Sequence, residues 1–259
     1  MNLPAVFSFS QLKAYETCPY QYYLNFILKI PVTGKAVFSY GKTMHSTLQK
    51  FFSLIKDSGN INQGNLFRGE SFKSNKIPSI TELLRIYDES WVDDWYISKE
   101  IKEKYRAQGR ESLKKLYNEI KETKPRVLET EKGFSFKIGG YTIRGVIDRV
   151  DIYGEKDVEL VDYKTGSSKT EKTVEKDQLL IYQLAATETF GWRVKKLVFY
   201  YLDNNETLSF LGSEKELEKQ REKIFKLIEK IKTGDFNATP SRFTCSYCDF
   251  KNICKFKEV

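Results

Sequence analysis

The hydrophobic and polar positions of this chain change period along its length, and each change marks an element. Ser8 with Gln11 has the form of a capping box and predicts a first helix running to about Ile27. A band of aromatics lies along it: Tyr15, Tyr20, Tyr22, Tyr23 and Phe26. Pro31 and Gly34 mark a loop, and a second helix is expected from about Lys42, carrying His45, the only histidine. Residues 58–78 hold glycines, asparagines and serines and read as a long loop. Two charged amphipathic helices follow, at about 79–97 and 99–122, closed by Pro125. The period then falls to two. Residues 128–138, 141–152 and 157–164 are rich in Val, Ile, Phe and Tyr, with Gly139-Gly140 and Gly154 at the turns, and predict a three-stranded meander. A helix over 174–190, strands near 196–202 and 206–210, a charged helix over 213–232 and a short tail, 240–259, complete the pattern.

These elements predict an α/β fold: a small mixed sheet with helices on both faces. The 259 residues are read as a single domain, with a helical insertion at about 46–125. No apolar run reaches the ~18 residues that span a bilayer, so no membrane partner is expected. The N-terminal stretch MNLPAVFSFS lacks the basic head and long apolar run of a secretory signal. Four cysteines in such a lysine-rich chain point to a reducing cytoplasm, where clustered cysteines bind metal rather than form disulfides. The net charge of +8 favours an anionic partner such as nucleic acid.

The densest chemistry lies in GVIDRVDIYGEKDVELVDYKTG, residues 145–166. Alternation along a strand puts Val146, Asp148 and Val150 on one face, and Val158, Leu160, Asp162 and Lys164 on one face of the next strand. A turn centred on Glu155 sets Asp148 opposite Asp162, whereas a turn shifted by one residue would send them to opposite faces. Two carboxylates so close in a partly apolar setting repel, and protonate or destabilise the sheet unless a cation lies between them. Hard oxygen ligands suit Mg²⁺ or Mn²⁺. Lys164 points into the same place, where its ammonium can position a water or stabilise charge growing on a phosphate. Gln178 and Tyr182, four apart on the next helix, share a face and are candidates to hold the lysine and a substrate phosphate.

The cysteines form a second constellation. Cys245, Cys248 and Cys254 leave a soft metal one ligand short, and the remaining cysteine, Cys18, lies near the other end of the chain. Four thiolates hold either zinc or a [4Fe–4S] cluster, and spacing does not separate the two. Either would tie the first helix, at about 8–27, to the tail and contribute folding energy directly.

Taken together, these motifs resemble the PD-(D/E)xK nuclease superfamily, with a restriction-endonuclease-like core. The resemblance is nearest to RecB- and AddB-type nuclease domains and to CRISPR-associated iron–sulfur nucleases. SFSQLKAYETCPYQYYLNFI is similar to the family's N-terminal helix with its first cluster cysteine, Cys18. FSYGKTMHSTLQKFF resembles the G-x-x-x-H motif, which implies that His45 is a metal ligand. ETEKGFSFKIGGYTIRGVIDRVD resembles the strand pair in which Glu131 is an acidic site residue and Asp148 a metal ligand. ELVDYKTG resembles the (D/E)-x-K motif: Asp162 as ligand, Tyr163 offering its carbonyl, Lys164 catalytic. DQLLIYQLAA resembles the Q-x-x-x-Y motif of Gln178 and Tyr182. The resemblance implies a metal-dependent deoxyribonuclease, an exonuclease on single-stranded DNA ends in repair, recombination or CRISPR-related processing. It also implies a helicase or a CRISPR adaptation protein as partner, and favours [4Fe–4S] over zinc at the cysteines.

Two rival readings carry different consequences. A non-catalytic iron–sulfur or zinc DNA-binding module would keep the fold and bind DNA without cutting it. A phosphate-binding loop is suggested by Gly41-Lys42-Thr43 at a helix start, but that motif also needs glycine at position 36, where Ala36 stands.

Overall fold

The computed structural model describes residues 3–59, 76–170 and 173–258. Most of the loop expected at 58–78 lies outside the described residues. In chain order the elements are β1 (Val6–Phe7), α1 (Phe9–Thr17), α2 (Pro19–Tyr22) and a π-helical turn (Tyr23–Ile27). Then come α3 (Ala36–Gly59), α4 (Ile80–Glu89), α5 (Lys99–Thr123), β2 (Val127–Ile138), β3 (Tyr141–Ile152) and β4 (Asp157–Lys164). The chain continues with α6 (Asp177–Phe190), β5 (Arg193–Tyr201), β6 (Glu206–Phe210), α7 (Glu214–Lys232) and α8 (Arg242–Tyr247). The result is an α/β fold with a mixed, open sheet flanked by helices.

Three helix boundaries differ from expectation, each for a local reason. The first helix is not continuous to Ile27. Proline excludes the helical conformation from the residue before it, and Cys18 accordingly sits extended at φ −162°, ψ 114°, with Pro19 opening α2. The Ser8–Gln11 capping box is present as expected. The second helix starts at Ala36, six residues before Lys42, and Gly41 lies inside it. Its inner face includes the hydroxyls of Ser39, Thr43 and Thr47, all buried, which look polar in sequence. Thr43 and Thr47 donate to the carbonyls of Ser39 and Thr43 at 2.9 and 2.7 Å, so two of the three hydroxyls donate within the helix itself. The helix expected at 79–97 stops at Glu89, and residues 91–98 form an irregular connection to α5.

The chain divides into two compact units. The larger comprises Gly34–Lys132 and Val146–Leu211. Within it β3 runs antiparallel to β4, β4 parallel to β5, and β5 antiparallel to β6. One face of β4 and β5, through Val161, Tyr163, Val198 and Tyr200, shares a core with Met44, Leu48, Phe51 and Phe52 of α3, Leu83 and Tyr87 of α4, and Leu113 of α5. The other face takes α6. Helix α6 is apolar nearly all round, with Leu179, Leu180, Ile181, Leu184 and Ala185 buried, which is the composition of a helix enclosed by protein rather than lying on a surface.

The smaller unit comprises Met1–Thr33, Gly133–Gly145 and Gly212–Val259. In it β1 pairs parallel with β3 through Val6↔Thr142 and Phe7↔Ile143. Tyr22 lies edge-on to Tyr15 and stacks on Phe236, with centroids 5.6 and 6.0 Å away. The aromatic band of the first helix thus serves packing at Tyr15 and Tyr22, both buried.

Gly109 of α5 gives a clean test of the larger unit's helical packing. In a helix interior Gly→Ala ordinarily stabilises by about 0.5–1 kcal/mol. Here a Cβ would stand 2.3 Å from the Tyr87 hydroxyl and 2.8 Å from Cζ of that fully buried ring. Gly109→Ala is therefore expected to destabilise by about 1–3 kcal/mol, a reversal of sign readable by chemical denaturation.

Candidate active site and cysteine site

The ladder between β3 and β4 pairs Arg149↔Val161, Val150↔Leu160, Asp151↔Glu159 and Ile152↔Val158, the register of a turn centred on Glu155. One further step would oppose Asp148 and Asp162. At that step Asp148 Oδ2 instead accepts the Tyr163 N–H at 2.8 Å, so a side chain replaces a strand partner where the two strands part. Alternation along β4 sends Tyr163 into the helical core and Asp162 and Lys164 toward α6.

On that side a chain of contacts fixes Lys164. Its Nζ lies 2.7 Å from Asp162 Oδ2 and donates to Gln178 Oε1 at 2.6 Å. Gln178 Nε2 donates to the Tyr182 hydroxyl at 2.9 Å, and that hydroxyl donates to Asp162 Oδ1 at 3.3 Å. The four-residue spacing on α6 sets Gln178 against Lys164, and Tyr182 against Gln178 and Asp162. Asp162 is only 2% exposed whereas Lys164 is 36% exposed, so the carboxylate is sealed and the ammonium reaches the site opening.

His45, Glu131 and Asp148 bring one ligand atom each within 4.8 Å of one another. His45 Nδ1 is 3.4 Å from Asp148 Oδ2. Glu131 holds its place in β2 at φ +47°, a left-handed conformation that costs a non-glycine residue about 1–3 kcal/mol and tends to survive at functional sites. Asp162, in contrast, forms an ion pair with Lys164 and accepts a hydrogen bond from the Tyr182 hydroxyl.

Burial and crowded carboxylates set the electrostatics of this cluster. Burial, and then the charge of Asp148, push the Asp162 carboxyl up to about 6 despite the opposing pull of Lys164. Glu131 is raised by burial and by Asp148. Burial disfavours the imidazolium of His45, but the hydrogen bond and charge of Asp148, with Asp162 and Glu131 behind it, hold it above its usual value. All three groups hold protons more tightly than in water, as expected where carboxylates outnumber cations. The donor set is all oxygen and imidazole, the chemistry that hard divalent cations take.

Beneath the site lies a charged group that sequence reading passed over. Arg149 is buried and donates to the Tyr163 hydroxyl at 2.7 Å, pairs with Asp151 at 3.1 Å, and stacks 4.3 Å from the centre of Phe52. It fixes β4 from the face opposite Asp162. Flanked in sequence by Asp148 and Val150, it carried no sign of a buried charge. A cleft beside His45, lined also by Phe38, Lys42, Trp95 and Thr165, was likewise unforeseen.

In the smaller unit Cys18, Cys245, Cys248 and Cys254 line one cavity with Tyr20 and Phe256. All four are free and partly exposed. The Cys248 thiol is raised by burial and by the nearness of Cys18 and Cys254. No three of these four sulfurs, all among the described residues, lie within 4.8 Å of one another.

Comparison with known proteins adds the following. The family model described as the PD-(D/E)XK nuclease superfamily matches residues 6–255. The Gene 69 protein of Mycobacterium phage L5 is 26% identical over 142 residues, covering 52% of this chain and 46% of that protein. An ATP-dependent helicase/deoxyribonuclease subunit of Carboxydothermus hydrogenoformans is 23% identical over 261 residues, covering 85% of this chain and 22% of that relative. The chain thus spans about half of one relative and about a fifth of the other. Among solved structures, a putative exonuclease from Eubacterium rectale superposes with a TM-score of 0.56 at 12% identity, over 97% of this chain and 89% of that one, a likeness of fold.

The raised Asp162 sets a pH dependence. A carboxyl whose folded value exceeds its unfolded one weakens the fold as pH rises through the interval between them, here from about 4 to about 6. In metal-free protein, Asp162→Asn is therefore expected to raise the melting temperature by a few degrees at pH 8, and by progressively less toward pH 4. Melting curves in chelator across that range would refute the assignment if the variant lost stability at pH 8.

Proposed function

Because the chain belongs to the PD-(D/E)XK nuclease superfamily, we propose that it is a deoxyribonuclease that hydrolyses phosphodiester bonds with Mg²⁺ or Mn²⁺, acting on single-stranded ends. The observation that carries this reading is the convergence of His45, Glu131 and Asp148 within 4.8 Å, with the sealed Asp162–Lys164 pair in register on the neighbouring strand.

His45, Asp148, Asp162 and the Tyr163 carbonyl would hold the ion, with Glu131 as a further carboxylate. A divalent cation there lowers the pKa of a water and offsets charge on the scissile phosphate. The protein's own part is positional. Gln178 and Asp162 hold the Lys164 ammonium at the mouth of the site, where it orients the attacking water and stabilises the phosphate's growing charge. Tyr182 keeps Gln178 turned toward the lysine. Surface lysines and arginines, part of the +8 balance, hold the strand, so binding weakens with salt. The name of the Carboxydothermus relative joins a helicase to a deoxyribonuclease, which supports a helicase that delivers unwound ends as partner.

At the cysteines the donor set fits a [4Fe–4S] cluster. Such a cluster would tie Cys18 to the 245–254 segment and contribute folding energy.

Lys164→Ala is expected to reduce Mg²⁺- or Mn²⁺-dependent degradation of labelled single-stranded DNA by about 10²–10³-fold in protein that remains folded, its melting temperature lowered by the loss of the Asp162 ion pair. Unimpaired cutting would remove the catalytic assignment, and wild-type binding without cutting would leave a DNA-binding module. Anaerobically purified protein should be brown and contain iron with acid-labile sulfide, and Cys254→Ser should lose both and melt lower. Colourless protein with one zinc per chain would replace the cluster and leave the nuclease reading standing.

A further inference from the structure

Trp95 requires an explanation that the catalytic residues do not supply. It is a bulky residue at φ +64°, outside the range such side chains adopt without constraint. Its side chain is 42% exposed, so core packing does not account for it. The constraint comes from α3. The buried Ser39 hydroxyl donates to the Asp94 carbonyl at 2.6 Å, and the buried Thr43 hydroxyl accepts the Val92 N–H at 3.0 Å. Two interior hydroxyls therefore fasten the 91–98 connection to the helix that carries His45. Gly34 leaves the indole its seat, since a Cβ there would stand 1.8 Å from Trp95 Cδ2. The ring thus presented lines the cleft that His45 also lines.

The company it keeps is aromatic and cationic. Lys42 Nζ lies 4.9 Å from the indole centroid. Phe38, 47% exposed in the same cleft, carries the Lys35 ammonium 5.9 Å from its centroid. Rings accept the π-face of any base, and ammoniums accept phosphates of any sequence. Interior bases of a duplex have both faces covered by their neighbours and a terminal pair has one, whereas an unpaired base can turn either face to a fixed indole.

We propose that Trp95 is the base-stacking residue of this site, taking an unpaired nucleobase next to the scissile phosphate while Lys42 takes a neighbouring phosphate. The proposal rests on the nuclease reading and adds to it the group that selects unpaired strand over duplex.

The test is a cycle on the full chain carrying Lys164→Ala, so that binding is read without cutting. Fluorescence anisotropy follows a short single-stranded deoxyoligonucleotide, intact or abasic at its terminal positions. Trp95→Ala is expected to weaken binding of the intact strand about tenfold. The abasic strand should bind the parent equally weakly and show no further loss with the variant. Trp95→Phe should keep most of the affinity. Gly34→Ala, which evicts the indole without altering it, should reproduce the loss if Trp95→Ala folds poorly. Intact-strand affinity unchanged by Trp95→Ala, or an abasic penalty equal in parent and variant, would overturn the proposal. Coupling between Trp95 and the base in a chain whose wild type cuts no DNA would sink only the nuclease reading. Lys164-dependent cutting without that coupling would sink only this one.

Discussion

Asp162 and Lys164 are two residues apart on one strand, so they project to one side, and their charges meet at 2.7 Å. That contact partly offsets the cost of sealing a carboxylate in the interior, yet burial and Asp148 still hold the acid at about 6. The surrounding groups follow from this imbalance. Gln178 fixes the lysine that compensates it, Tyr182 donates to the acid, and Arg149 braces the same strand from behind. The negative charge left over, on Glu131 and Asp148 beside His45, is what a divalent cation would balance.

Much of this was legible in sequence because β structure has an unforgiving period. The meander could be read to within a residue, and a turn centred on Glu155 forced Asp148 and Asp162 toward one another. The i, i+4 spacing of Gln178 and Tyr182 was equally informative. Helix limits were less so. The hydroxyl stripe of α3 hid its first turn because Ser39, Thr43 and Thr47 look polar in sequence yet find partners inside the fold, on their own helix and on the 91–98 connection. Pro19 did signal a break, but the aromatic band around it suggested continuity.

Two features had no sequence signature at all. Glu131 and Trp95 both adopt left-handed backbone, one inside a strand and one in an irregular connection, and no residue type announces such strain. Arg149 was invisible for another reason. Its bond to Tyr163 depends on a neighbour that only the folded sheet brings to it.

The smaller unit is assembled from three stretches separated by most of the chain. Contacts of that separation close late. On a ribosome that synthesises from the N-terminus, Cys18 emerges long before Cys245, Cys248 and Cys254 exist. The larger unit can begin to collapse meanwhile, but the sulfur site has to wait for residue 254. A metal or cluster held by all four thiols, as proposed above, would therefore bind only once that residue exists, and its loading would mark a chain made and folded through that point.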